Sequence, residues 1–237
     1  MAEAANRQGA AESITGISSM ATRQVLSELA AAFERRTGQR VAVESVGGVD
    51  AARRVEAGET FDFVVLASQA IDKLVAAGRL DPGTRIDLAR SGVAIAVAAG
   101  ASRPVVDTEQ AVRDAVLAAR TIGYSTGPSG RHIAGLFKRW GIAEIIAPRI
   151  VEAPPGVAVG GLVARGDIEI GFQQSSELMH VPGIDVVGTL PREIQEITLF
   201  SGAICVASVR REATGALLSF FASPEADTVK RAHGMEP

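Results

Sequence analysis

Cysteine occurs once in the 237 residues, so an internal disulfide and a cysteine metal cluster are both excluded. Cys205 sits in the apolar run SGAICVAS, where it is expected to serve as a small buried hydrophobe. The three histidines are nowhere at metal-ligand spacing, which argues against a zinc site. Aromatic residues make up only 4%, too few for a base-stacking surface. Basic and acidic residues are interspersed and the net charge is −3, so no basic stripe points to nucleic acid. No run reaches the roughly 18 apolar residues of a membrane-crossing helix, so no membrane insertion is expected. The opening MAEAANRQGAAES has no apolar core of secretory type. Residues 1–12 are expected to be disordered, either a native start or what remains after processing.

What is present is an alternation of short apolar runs with amphipathic ones. Strands are predicted over 13–19, 40–46 and 61–67, and helices over 21–38, 49–58 and 68–78. In the first helix Val25, Leu29, Ala32 and Phe33 share a face, and Gly38 is the stop. This βαβαβ order predicts a parallel sheet with helices on its faces. A second series follows: strand 91–100, helix 108–119, strand 121–126, helix 129–140, strand 148–152, helix 157–165 and strand 168–174. Strands 184–191 and 196–208 come next, then a helix over 211–232 broken near Pro224. The runs 91–100 and 196–208 are long enough to pass between lobes. The expected architecture is α/β: two Rossmann-like lobes joined by two crossover strands, with a ligand cleft between them. Lobe I comprises 13–92 with 197–237, and lobe II comprises 93–196.

Four small-residue loops each follow a predicted strand and open a helix: Ser18-Ser19-Met20, Val46 to Val49, Ser125 to Gly130, and Pro154-Pro155-Gly156. Helix N-termini carry unpaired N–H groups and roughly half a positive charge, so several converging on one cleft would hold an anion. The plain reading is that glycine and serine make turns and N-caps there. Nucleotide motifs fail: Gly123, Gly127 and Gly130 lack Walker spacing, and VGGVDAARRVEAG lacks the three-glycine dinucleotide fingerprint. No cofactor is expected. GYSTG matches the G-x-S-x-G spacing, but Gly127 and Pro128 intervene where a nucleophile elbow would start its helix. Arg131 is either an anion contact or a solvated helix-surface arginine. His132 has the same two readings. In Gln173-Gln174, strand alternation points the side chains to opposite faces, so one of them is expected to reach the cleft.

The stretches SELAAAFERRTGQRVAVES, ARRVEAGETFDFVVLAS, SGRHIAGLFKRWGI, LVARGDIEIGF and SPEADTVKRAHG resemble the class II periplasmic solute-binding proteins, in the molybdate-binding-protein-like branch. The likeness spans nearly all of 13–235. It implies two lobes that close on a bound oxyanion, a periplasmic location and delivery to an ABC importer permease. The family's oxyanion positions fall at Ala21, Gly48, Ser129, near Gly156, and at Gln174 where the family has a pocket-closing tyrosine. Two hydroxyl donors and that tyrosine are therefore absent. Each lost charge-assisted bond is worth about 1.5–3 kcal/mol, so a compact tetrahedral dianion loses much of its cage.

The expected ligand-binding residues are Ser18, Ser19, Ala21, Gly47, Gly48, Ser129, Gly130, Arg131, Gly156 and Gln174. The leading expectation is a monomeric, non-enzymatic solute-binding protein for a small organic carboxylate. One alternative is an aconitate-isomerase-like enzyme on the same fold, using His132 or a cleft carboxylate as base. Another is a cytoplasmic effector-sensing domain.

Overall fold

The computed structural model describes residues 13–237, so the expectation for 1–12 lies outside the described residues. β1 (Ile14–Ser19), α1 (Arg23–Thr37), β2 (Val41–Val46), α2 (Gly48–Glu56), β3 (Phe63–Ala67) and α3 (Ser68–Ala76) follow in the predicted order. α1 buries Val25, Leu26, Leu29 and Phe33 along one face, and Gly38 ends it at φ 75°. β1 pairs in parallel with β2 on one side and β3 on the other.

The long strand β4 (Ile86–Ala98) organises the rest. Its first half, Ile86–Gly92, runs antiparallel to β9 (Ile197–Ile204), which in turn pairs with β3. Past Gly92 its partners change to β7 (Ile170–Gln174) and β8 (Ile184–Thr189). β5 (Ile122–Ser125) joins β7 to β6 (Ile150–Ala153), both in parallel. The strand order is β2-β1-β3-β9-β4-β7-β5-β6, with β8 beside β4. The chain thus passes between the two halves inside β4 and again on the approach to β9.

α4 (Glu109–Ala118), α5 (Pro128–Arg139), α6 (Ala143–Ile146), α7 (Val159–Ala164) and α8 (Ser175–Leu178) flank the second half. α9 (Arg211–Ala222) and α10 (Asp227–Ala232) return to the first, separated by a 3-10 turn at Pro224. Each half has its own core. One gathers Leu29, Phe33, Phe63, Leu217 and Phe221, the other Val112, Ile133, Phe137 and Phe172.

Two strand boundaries differ most from the sequence reading, and two short helices were not foreseen. β4 begins at 86 and not 91, because the charged pattern IDLAR conceals a paired strand. Asp87 finds its partners there, accepting from Ser201 Oγ at 2.7 Å and from Arg85 at 3.0 Å. β9 stops at Ile204, where Cys205 turns the chain and accepts the Ser208 N–H. Cys205 is buried, and burial pushes its thiol up to about 12. The single-turn helices α6 and α8 had no readable period.

Candidate functional site

A cleft of about 1090 Å³ opens between the two halves, at the carboxyl ends of the parallel strands. Its first wall is built from Ser19 and Ala21 after β1, Gly47 and Gly48 at the start of α2, and Ser68 at the start of α3. The second wall holds Ser125 to Ser129 at the start of α5, Pro154 to Ala158 before α7, and Gln173, Gln174 and Glu177 at the β7–α8 junction. β9 supplies the base, from Ile197 to Phe200. At the rim the walls meet: a Cβ on Gly47 would lie 3.4 Å from the Gly156 nitrogen and 3.4 Å from Pro155 Cβ.

Eight of the ten residues named from the sequence line this cleft: Ser19, Ala21, Gly47, Gly48, Ser129, Arg131, Gly156 and Gln174. Ser18 does not. Its side chain is fully buried inside the sheet, where Oγ pairs with Ser45 Oγ at 2.8 Å. Gly130 does not line it either. A Cβ there would stand 1.5 Å from the Ser125 carbonyl oxygen, so the protein's own backbone demands this glycine, not an approaching ligand.

The stretch STGPSGR carries the chain from β5 into α5. Gly127 is the N-cap of α5 and Pro128 its first residue; Ser129 is inside the first turn and does not cap it. The first intrahelical bond runs from Arg131 N–H to Gly127 O, 3.1 Å. The Ser129 and Gly130 N–H groups therefore have no intrahelical acceptor. Ser129 is 2% exposed, with its Oγ 3.5 Å from Ser125 Oγ. Arg131 is exposed on the wall, its guanidinium 3.5 Å from Thr126 O.

His132 is locked in place. Nε2 lies 2.7 Å from Ile194 O and Nδ1 2.7 Å from the Glu196 carboxylate. Both ring nitrogens are thus engaged, which tethers α5 to the segment leading into β9 and leaves no open nitrogen to act as a base.

Both glutamines reach the cleft, where alternation had allotted it only one, because β7 ends at Gln174 and α8 turns directly after it. Gln174 is 2% exposed; Nε2 donates to Thr198 Oγ1 at 2.8 Å while Oε1 has no partner among the described residues. Gln173 accepts the Val159 N–H at 2.9 Å and donates to Glu177 Oε1 at 2.8 Å. Burial pushes the Glu177 carboxyl up to about 7, opposed only by that amide bond. Sequence reasoning missed Glu177, Glu196, Ser68, Arg53 and Lys73 on these walls. Ser68 alone carried a legible signal, since it too follows a strand and opens a helix. Among the described residues no cluster of His, Cys, Asp and Glu could hold a metal ion, and no helix is long and apolar enough to cross a membrane.

Chemically, the cleft can hold an anion on N–H groups from both walls, with Arg131, Arg53 and Lys73 as formal positive charges. It lies between the two halves of the fold, where the first three strands hand over to helices. The chain matches the family described as bacterial extracellular solute-binding protein over residues 14–236 and belongs to it. It is 36% identical over 232 residues to an aconitate isomerase of Pseudomonas sp., covering 94% of this chain and 87% of that one. Its fold is similar to the periplasmic molybdate-binding protein of Azotobacter vinelandii, with TM-score 0.80 and 19% identity over 94% of this chain and 99% of that one. It is also similar to the tungstate ABC transporter structure from Geobacter sulfurreducens, with TM-score 0.73 and 16% identity over 93% and 98%.

Proposed function

We propose that the cleft binds a small organic polycarboxylate, a tricarboxylate of the aconitate kind, and that the protein holds it for an ABC importer permease without transforming it. The observation that carries this reading is the donor set of the walls. Ala21 and Gly48 offer no hydroxyl, and Gly48 leaves room, since a Cβ there would meet only Ser19 Cβ at 3.5 Å. On that side a compact tetrahedral dianion would have only Ser19, Ser68 and backbone N–H groups to turn to, two hydroxyls fewer than serines at 21 and 48 would supply. A longer anion could place one carboxylate on the Ser129 N–H, reach Gly48 with another, and take a bidentate contact from Arg131. The relative named for aconitate supports the same ligand class. On this reading the lobes that close on the ligand are 13–92 with 197–237, and 93–196; the exchange of partners at Gly92–Val93 in β4 supports that division.

Calorimetric titration with trans-aconitate, cis-aconitate and molybdate tests it. Binding of a tricarboxylate at micromolar concentration is expected, with molybdate far weaker. Sub-micromolar molybdate affinity would overturn the ligand class.

A second reading is favoured by Glu177, a carboxyl on the cleft wall that burial pushes up to about 7. Such a group could take a proton from the methylene of an aconitate, let the double bond migrate, and return the proton to the former vinyl carbon. Proton NMR of trans-aconitate incubated with the protein in heavy water separates the two readings. An unchanged spectrum is expected of a binder, and deuterium exchange with double-bond migration of an isomerase.

A further inference from the structure

We propose that Glu177 takes up a proton as the cleft fills, so that it meets the bound anion as a hydrogen-bond donor and not as a like charge. The inference rests on the polycarboxylate reading. Gln173, beside Glu177 on the second wall, sets the geometry. The Val159 N–H is donated to Gln173 Oε1 at 2.9 Å, which fixes the amide and turns Nε2 toward Glu177 Oε1, 2.8 Å away. An amide N–H can only donate, so Oε1 accepts in both protonation states. A proton on this carboxyl therefore sits on Oε2, the oxygen Gln173 leaves unengaged on a residue of the cleft wall.

Nothing cationic offsets the charge. Among the described residues Glu177 forms no ion pair. α8 packs against β4, β7, α7 and the turn at 20–22. β7, α7 and that turn carry no charged residue. On β4, Asp87 is held by Arg85 and Ser201, and Arg90 donates to Pro237 O. The other ionisable groups on the cleft wall are Arg53, which pairs with Asp50, the couple His132–Glu196, and Glu56, Lys73 and Arg131. None of these pairs with Glu177. A carboxylate there would face a bound polyanion across a partly desolvated gap, and like charges disfavour ionisation. Burial already pushes the carboxyl up to about 7, so little further upward push is needed for it to hold a proton near neutral pH.

The test uses propane-1,2,3-tricarboxylate, which is saturated and cannot isomerise, titrated calorimetrically at pH 8 in two buffers of different ionisation heat. The expected result is uptake approaching one proton per ligand, with affinity falling up to about tenfold per pH unit as the pH rises further. Glu177→Gln keeps the amide bond and the donor while removing the charge. It should bind without proton uptake and, at pH 8.5, about tenfold more tightly than the parent. Binding by the parent with no proton uptake, or uptake that persists in Glu177→Gln, overturns the inference and leaves the polycarboxylate reading standing. Failure of this probe and both aconitates to bind overturns both. A carbon-13 titration placing the Glu177 carboxyl of the free protein below about pH 5 overturns the inference alone.

Discussion

The Arg131 guanidinium is held by little of the protein itself: among the described residues its one hydrogen-bond partner is the Thr126 carbonyl, at 3.5 Å. Its neighbour His132 is anchored at both ring nitrogens. Two consecutive residues in one helical turn thus take opposite parts, one available to a ligand and one bracing the helix. Arg131→Ala should weaken a tricarboxylate ligand at least tenfold, about 1.4 kcal/mol, by calorimetry, with the melting temperature unchanged. Unaltered affinity would place the decisive charge on Arg53 or Lys73. Arg131 was legible from the sequence because it stands at a fixed offset after a glycine-rich turn. Glu177 was not. In QQSSEL it looks like any helix-surface acid, and its burial comes from β7 and α7 folding around it.

At the scale of elements, the joint between β5 and α5 is the best-defined part of the site. Pro128 starts the helix with a fixed φ, and Gly130 lets the first turn lie directly on the Ser125 carbonyl. Gly130→Ala should cost about 3 kcal/mol in urea denaturation, since the obstructing atom is backbone and cannot rotate away. Stability within about 0.5 kcal/mol of the parent would mean that the joint is looser than this packing implies. The long elements were legible because their periods repeat several times over. α6 and α8, at four residues each, complete barely one turn and show no period.

At the scale of the molecule, a ligand contacting both walls favours whichever arrangement brings them together. The rim contact between Gly47 and Pro155–Gly156 is where the halves meet; a Cβ on Gly47 would already touch the opposite wall at 3.4 Å, so a longer side chain would press against it. Adding trans-aconitate should lower the radius of gyration measured by small-angle X-ray scattering. Gly47→Leu should abolish that decrease and weaken binding at least tenfold, while the ligand-free melting temperature stays the same. Gly47 has φ −55°, so a larger residue meets no backbone strain there. A radius that shrinks equally in the variant would place the closing contact elsewhere.

The sequence by itself determined the order of strands and helices, the parallel pairing of the first three strands, and the glycine- and serine-rich turns where those strands hand over to helices. These are local matters, decided by periodicity and turn chemistry within a dozen residues. Tertiary structure alone decided that β4 changes partners at Gly92, that Ser18 turns into the sheet and Ser19 to the cleft, and that Gly130 serves the backbone. It also decided that Glu177 stands on the wall with its proton in the balance. Each of these depends on atoms brought from distant parts of the chain. Burial, and the charge state that follows from it, is a property of what packs around a residue and not of the residues beside it in sequence.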